Sequence, residues 1–179
     1  MDKSIVTTTI YKISYALEKY ASFKDWNLII VGDKKTPHDE YYEFSKKENV
    51  FYLDPEYQEK NYKDLSELIG WNKIQRRSIG YLEALKKGAD IIASVDDDNI
   101  PFDNWGKNLL LGKETDVYFY ETTDLAFDSI SETGYKNLWH RGFPIQDLHE
   151  RNSCKITVKK IIPDVQADFW NGDPDIDAV

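Results

Sequence analysis

Short apolar segments recur along the first hundred residues of the chain, and polar residues end most of them. Runs of this length that are rich in β-branched residues, or apolar throughout, are typical of strands inside a sheet. The pattern therefore predicts four strands, at residues 4–10, 27–33, 50–53 and 91–95.

Amphipathic segments separate these strands. The clearest covers residues 71–87, where apolar residues at helical spacing end in a basic turn and a glycine, so we predict one continuous helix there. Thr36 and Pro37 are suited to the N-cap and first position of another helix. Because strands and helices alternate with short links, we expect an α/β fold with a mostly parallel sheet and helices on both faces.

The second half of the chain is less regular. Its pattern predicts a short helix at 105–112 and strands at 116–121 and 155–162, with irregular structure between the strands. A chain of 179 residues fits one domain, which we divide into halves 1–105 and 106–179.

Composition narrows the classes of function. A net charge of −9 argues against binding to a nucleic-acid backbone, which requires a basic face. The one cysteine, Cys154, excludes an internal disulfide and fits a reducing compartment. We find neither a membrane-length apolar run nor the apolar core of a signal peptide, so we expect a soluble, cytoplasmic protein.

Three consecutive carboxylates, Asp96, Asp97 and Asp98, follow the fourth predicted strand directly. Their mutual repulsion calls for full solvation or a cation. Side chains alternate in direction along extended backbone, so Asp96 and Asp98 can point together while Asp97 points elsewhere. Two carboxylates suit Mg²⁺ or Mn²⁺, which commonly complete their shell with phosphate oxygens. The alternative is a solvated turn before Pro101.

Basic residues near this turn are candidates for binding a diphosphate. Lys73 and Arg76 lie in the first turns of the predicted helix 71–87, whereas Arg77 falls on another face and is expected to be solvated. The chain lacks a glycine-rich phosphate loop, so a diphosphate would be neutralised by a metal and by lysine or arginine.

The end of the chain offers a further carboxylate. In "NGDPDID", Asp173 could act as a general base toward a hydroxyl or orient a sugar. The same residues also suit a helix start, with Asp173 as N-cap and Pro174 after it. His140 has no partner at metal-binding spacing, so a zinc site has little support.

Several of these motifs together resemble a known family. The segments "IVTTTI", "LIIVGD", "NKIQRRSIGYLEALKKGAD" and "IIASVDDDNIP" resemble the nucleotide-sugar-binding half of GT-A glycosyltransferases, in which an Asp-x-Asp motif follows the fourth strand. "HRGFPIQ" and "NGDPDIDA" are similar to STELLO-type and virus-encoded glycosyltransferases. Relatives of this type continue past "GDPDIDA", so we expect the half 106–179 to lack part of the acceptor side.

The resemblance implies a metal-dependent glycosyltransferase that uses a nucleoside-diphosphate sugar, most simply a UDP-sugar, as donor. The sequence does not indicate the acceptor. The resemblance also implies a role for each candidate residue. Thr7, Thr8 and Asp33 would lie near the nucleoside, and Lys73 and Arg76 near the base or diphosphate. Asp97 would face the ribose. Asp96 and Asp98 would hold Mn²⁺ or Mg²⁺, although "DDD" permits more than one alignment with the motif, and Asp173 would lie near the donor sugar or the acceptor.

Three other functions stay open. A sugar nucleotidyltransferase would carry a glycine-rich loop after the first strand, and "TTTIYKISYAL" contains no glycine. A nucleotide-sugar mutase is suggested by family proximity. A noncatalytic module that binds a nucleotide sugar or a protein would differ from an active transferase in releasing no UDP.

Overall fold

The computed structural model describes residues 1–134, 137–140, 142–151 and 154–168. The chain divides into two compact units, Met1–Trp105 and Gly106–Val179.

The first unit is built on a four-stranded parallel sheet. Its strands are β1 (Lys3–Thr9), β2 (Asn27–Gly32), β3 (Val50–Leu53) and β4 (Ile91–Ser94). They lie in the order β3-β2-β1-β4, and every neighbouring pair is parallel. The α/β class with a parallel sheet, as predicted from the alternation of apolar runs and amphipathic segments, is confirmed.

Five α-helices connect these strands. They are α1 (Tyr15–Tyr20), α2 (His38–Phe44), α3 (Pro55–Asn61), α4 (Lys63–Ile69) and α5 (Arg77–Lys86), and a 3₁₀ turn at Ile74–Arg76 precedes α5. Ser14 and Asp54 begin α1 and α3, because each side chain accepts a hydrogen bond from a backbone amide of the first turn.

The predicted helix over residues 71–87 is wrong at its start. Asn72 has a φ of 56°, in the left-handed region that a right-handed helix cannot include, and α5 begins five residues later. The predicted N-cap at Thr36 is also wrong. Pro37 precedes α2 without a side-chain cap, and the Thr36 hydroxyl donates instead to the Thr9 carbonyl at 2.7 Å.

Helices cover both faces of the sheet. Tyr41 of α2 stacks on Tyr52 of β3, with ring centroids 5.0 Å apart. On the opposite face α5 lies so close that a Cβ at Gly80 would come within 2.4 Å of Val6 and 2.8 Å of Val31. The core on this face consists of buried residues from three strands and α5: Val6, Ile29, Val31, Leu53, Ile79 and Ala84.

The strand order places a switch point between β1 and β4. The chain runs from β1 outward through β2 to β3 and then returns across the sheet to β4 on the other side of β1. In open α/β sheets, ligands bind beyond the carboxyl ends of the strands where the order reverses in this way. The carboxyl ends of β1 and β4 are therefore the place to look for a site.

The second unit contains an antiparallel strand pair, β5 (Thr115–Thr122) and β6 (Cys154–Ile161), close to the two predicted strands. The short helix predicted at 105–112 is wrong, since Gly106 and Gly112 both have positive φ angles. The buried carboxylate of Asp128 organises the segment between the strands: it accepts from the amides of Ile130 and His140 and pairs with Arg151 at 2.8 Å.

In the part of the chain that the structure describes, no helix is both long and apolar enough to cross a bilayer.

Candidate functional site at the carboxyl ends of β1 and β4

The acidic turn, Asp96 to Asp98, starts where β4 leaves the sheet. The Val95 amide still donates to the Val6 carbonyl of β1 at 3.2 Å, and the turn follows directly. Asp96 and Asp98 are exposed, whereas Asp97 is half-buried. Asp96 and Asp98 are thus accessible to solvent at the switch point, whereas Asp97 points back toward the protein.

Two hydroxyl groups hold Asp97. The Thr9 hydroxyl donates to Asp97 Oδ2 at 2.5 Å, and the Ser14 hydroxyl donates to the Asp97 carbonyl. Thr9 is the last residue of β1, and Ser14 is the N-cap of α1, where its oxygen accepts from the Leu17 amide at 3.2 Å. The β1–α1 connection is thereby tied to the acidic turn, although these residues are more than 80 positions apart.

Arg77 pairs with the first carboxylate of the turn. Its Nη2 donates to Asp96 Oδ1 at 2.5 Å, and its Nη1 donates to Ser94 Oγ at 3.2 Å. The Arg77 side chain is 16% exposed and that of Asp96 is 51% exposed, so the pair lies at the mouth of the site. Ser94 Oγ is also 2.7 Å from the Tyr81 hydroxyl.

The sequence-based prediction placed the two neighbouring arginines the other way round. Arg77 faces the end of β4, whereas Arg76 shares the face of the buried α5 residues Ile79 and Gly80 and turns into the protein. Sequence reasoning therefore missed Arg77. A helical phase set by Ile79 and Ala84, which are buried, rather than by Leu82 and Leu85, which are exposed, would have placed Arg76 on the buried face.

Arg76 is 1% exposed. Its Nε and Nη2 donate to the side-chain oxygen of Gln58 at 2.9 and 2.6 Å, and its Nη1 donates to the Gly70 carbonyl at 2.9 Å. The guanidinium also lies 3.5 Å from the centre of the Trp71 ring. Burial lowers the Arg76 pKa, while the carboxylate of Asp33 acts in the opposite direction. Arg76 thus joins α3 to the loop before α5 and has no open surface for a diphosphate. Lys73, its predicted companion, is exposed.

Asp33 lies at the neighbouring strand end and is 5% exposed. Its Oδ1 accepts from the Lys34 amide at 2.6 Å, and its Oδ2 accepts from the Asn72 amide at 2.8 Å. The hydrogen bond from the Asn72 amide stabilises the left-handed conformation of this residue before α5. Asp33 therefore shares the carboxyl edge of the sheet with the acidic turn, but both of its oxygens are bound to backbone amides.

The other candidates differ in position. Thr7 is fully buried within β1, where its hydroxyl approaches the Thr8 carbonyl at 3.4 Å, and Thr8 is half-buried. His140 is exposed. Asp173, the proposed general base, lies outside the described residues. The structure thus brings together Asp33 and the acidic turn at one edge, with Thr7 and Thr8 on the strand that leads to that edge.

Two buried tyrosines show how far the negative charge of the turn extends. Burial raises the Tyr20 pKa to about 12, and the carboxylate of Asp96 adds to this shift. Burial likewise raises the Tyr41 pKa to about 12, with the hydrogen bond between Tyr41 and Thr9 acting against it and Asp97 adding to it. Both phenols are therefore neutral near pH 7, and Tyr41 donates to the Tyr11 carbonyl at 3.0 Å.

The ligands available to a cation are carboxylate oxygens, as Mg²⁺ and Mn²⁺ prefer. Asp96 and Asp98 fit such an ion by chemistry and exposure. Among the residues that the structure describes, no group of three or more His, Cys, Asp or Glu side chains could hold a metal. A cation on Asp96 and Asp98 would therefore take most of its ligands from water or from a substrate.

The chain is similar to two curated proteins of Arabidopsis thaliana, named probable glycosyltransferase STELLO2 and probable glycosyltransferase STELLO1. It is 26% identical to each over 192 residues, which cover 99% of this chain and 24% of each relative. The chain thus spans about a quarter of the length of these relatives. No protein-family model matches it. The similarity extends over nearly the whole chain and supports a relationship to glycosyltransferases.

Proposed function

We propose that this chain binds a nucleoside-diphosphate sugar, most simply a UDP-sugar, with Mn²⁺ or Mg²⁺ and serves a glycosyltransferase reaction. The observation that carries the proposal is the position of Asp96 and Asp98, exposed at the switch point of a parallel sheet. The similarity to proteins named as glycosyltransferases supports the same class of reaction.

The proposed reaction breaks the bond between the anomeric carbon and the diphosphate oxygen and forms a bond from that carbon to an acceptor hydroxyl oxygen. The hydroxyl proton passes to a carboxylate, for which Asp173 is our candidate. A divalent cation, when bound to Asp96 and Asp98, would supply positive charge for the leaving diphosphate.

The remaining roles follow from exposure and charge. Lys73 is exposed and can reach solvent-borne phosphate, whereas the burial of Arg76 leads us to assign the second cationic role to Arg77 beside Asp96. Thr8 would border the nucleoside and Asp97 the ribose, whereas Thr7 and Asp33 are buried and would support the site from beneath. Because Arg77 already neutralises Asp96, it can exchange this partner for a phosphate oxygen of the same charge.

Calorimetric titration with UDP, with and without Mn²⁺, tests the proposal. We expect binding that depends on Mn²⁺ and that weakens by roughly tenfold in Asp98→Asn, which corresponds to the loss of about 1.4 kcal/mol. Glu67→Gln is the matched control, because it removes an exposed carboxylate of α4 that has no place among the proposed ligand contacts. Binding of UDP that ignores Mn²⁺, or that is unchanged in Asp98→Asn, would refute the metal-dependent site.

Release of UDP from UDP-sugars distinguishes turnover from binding alone. A transferase that retains its chemistry releases UDP from at least one donor, and Asp173→Asn should slow this release. Mn²⁺-dependent binding without UDP release from any donor would instead exclude the transferase and leave the noncatalytic module or a mutase, which isomerises the donor without releasing UDP.

A further inference from the structure

The acidic turn is held in place by residues from a distant part of the chain. Asp97 is fixed through its side chain by Thr9 and through its backbone carbonyl by Ser14. Both donors belong to the β1–α1 connection, which passes the end of β4. A turn of three repelling carboxylates is therefore held by neutral hydroxyl groups from a distant part of the chain.

The identity of the donors has an electrostatic consequence. A hydroxyl that donates to a carboxylate forms a charge-assisted hydrogen bond without neutralising the charge. Asp97 is thus held inward without the loss of its own negative charge. A lysine or arginine at Thr9 would hold the turn as well, but it would cancel the charge that attracts a cation.

The donors are themselves fixed. The Thr9 oxygen also accepts from the Tyr11 amide at 3.2 Å, and the Thr9 carbonyl accepts from Thr36 at 2.7 Å. Thr9 is 4% exposed, so its rotamer is set by packing. Ser14 is anchored as the N-cap of α1. Rigid partners on two sides of Asp97 restrict the rotation of the turn.

We propose that Thr9 and Ser14 are positioning residues that clamp Asp97 and thereby direct Asp96 and Asp98 into solvent as a pair. Asp97 acts as the fixed point of the turn. The functional part of this inference rests on the proposed metal and nucleotide binding, whereas the clamp itself is a property of the unliganded chain. Thr9, Ser14 and the clamp role of Asp97 lie outside the ligand contacts proposed above.

The clamp is tested in protein without metal or nucleotide. Hydrogen exchange of the Val95 amide, which bonds to β1 just before the turn, reports local opening. Thr9→Val removes the donor at nearly constant volume and should raise this exchange rate by roughly fivefold, the opening expected for one lost hydrogen bond. Thr9→Ser restores the hydroxyl and should restore slow exchange. Ser45→Ala, which removes an exposed hydroxyl hydrogen bond at the end of α2, is the control.

Two substitutions at Asp97 separate the clamp from a ribose contact. Asp97→Asn keeps an oxygen that accepts from Thr9, so the clamp predicts slow exchange in Asp97→Asn and fast exchange in Asp97→Ala. These variants also cover the case in which Thr9→Val fails to fold. Unchanged Val95 exchange in folded Thr9→Val and in Asp97→Ala would overturn the clamp.

The functional consequence is measured as Mn²⁺-dependent affinity for UDP. Thr9→Val should lose affinity and Thr9→Ser should regain it, in parallel with the exchange rates. If wild-type protein shows the clamp by exchange but binds neither Mn²⁺ nor UDP, the proposed function fails and the positioning of the turn stands. If Thr9→Val opens the turn and binds both as tightly as wild type, the positioning role is refuted and the proposed function stands.

Discussion

The carboxyl ends of β2 and β4 have similar sequences, since each is an apolar strand followed closely by aspartate, yet the structure uses them differently. At the β2 corner, Asp33 is buried and both of its oxygens accept from backbone amides. At the β4 corner, Asp96 and Asp98 are exposed, and Arg77 rather than a backbone amide faces the turn. The difference teaches that aspartate after a strand is structural where loop amides converge on it and available for ligands where they do not.

The largest expected effect is on the β2 side. Arg76→Ala removes a buried guanidinium and leaves Gln58, Ser66 and the Gly70 carbonyl without their donor. We expect a loss of about 3 kcal/mol in the free energy of unfolding, measured by urea denaturation. Arg77→Ala, next to it at the β4 side, should cost less than about 1 kcal/mol. Equal losses in the two variants would contradict the division between the corners.

Asp33→Ala is expected to have the second largest effect. The Lys34 and Asn72 amides lose their acceptor in a buried setting, at a cost of about 1–3 kcal/mol. Asp98→Ala is the matched change at the other corner and should alter stability by less than about 0.5 kcal/mol, because an exposed side chain is removed. A stability loss in Asp98→Ala as large as that in Asp33→Ala would show that both aspartates are structural.

The comparison also shows what the sequence could predict. Apolar runs determine strands locally, so the four strands of the sheet and the polar character of their ends were predictable from hydrophobic pattern alone. Tertiary contacts determine where α5 begins, which the hydrophobic pattern did not predict. Asn72 adopts a left-handed conformation with its amide bound to Asp33, 39 residues away, and this bond shifts the start of α5.

The exchange of Arg76 and Arg77 in the prediction has a different cause. Helical spacing assigns faces correctly only when the buried stripe of the helix is known, and Leu82 and Leu85, which the apolar pattern placed in that stripe, are exposed. The role of Asp128 in the second unit was likewise not predictable from local pattern. Its partner Arg151 lies 23 positions away in an irregular segment, where periodicity carries no information.

A smaller effect is expected from Arg77→Ala on ligand binding. Removing the guanidinium leaves Asp96 without its cation, so affinity for Mn²⁺ in the absence of nucleotide should rise about two- to fivefold, as for a partly exposed ion pair. Affinity for UDP in the presence of Mn²⁺ should fall, because the proposed phosphate contact is lost. Electron paramagnetic resonance of Mn²⁺ measures the first quantity and calorimetry the second.

The matched control is Lys46→Ala, which breaks an exposed ion pair with Glu43 on the β2 side. It should change neither affinity. If Arg77→Ala moved both affinities in the same direction, the exchange of Arg77 between Asp96 and a phosphate would be ruled out.

The smallest expected effect is a change in the titration of Tyr20, which lies within the field of the β4 corner. Burial holds its pKa at about 12, and Asp96 contributes the lesser part. Asp96→Asn should therefore lower this pKa slightly and leave it above 10, whereas Asp33→Asn should not move it. Carbon-13 resonances of labelled tyrosine, recorded from pH 9 to 12, follow this titration.

The same shift has a defined sign for stability. Tyrosines of the unfolded chain ionise near pH 10 while buried Tyr20 stays neutral, so its contribution to folding is complete below pH 10 and is lost as the pH rises through about 12. In Asp96→Asn this loss should end at slightly lower pH, since less negative charge opposes the tyrosinate. If the Tyr20 pKa responded equally to Asp96→Asn and Asp33→Asn, both aspartates would act on Tyr20 with the same electrostatic strength. The β2 and β4 corners would then differ only in their hydrogen bonds.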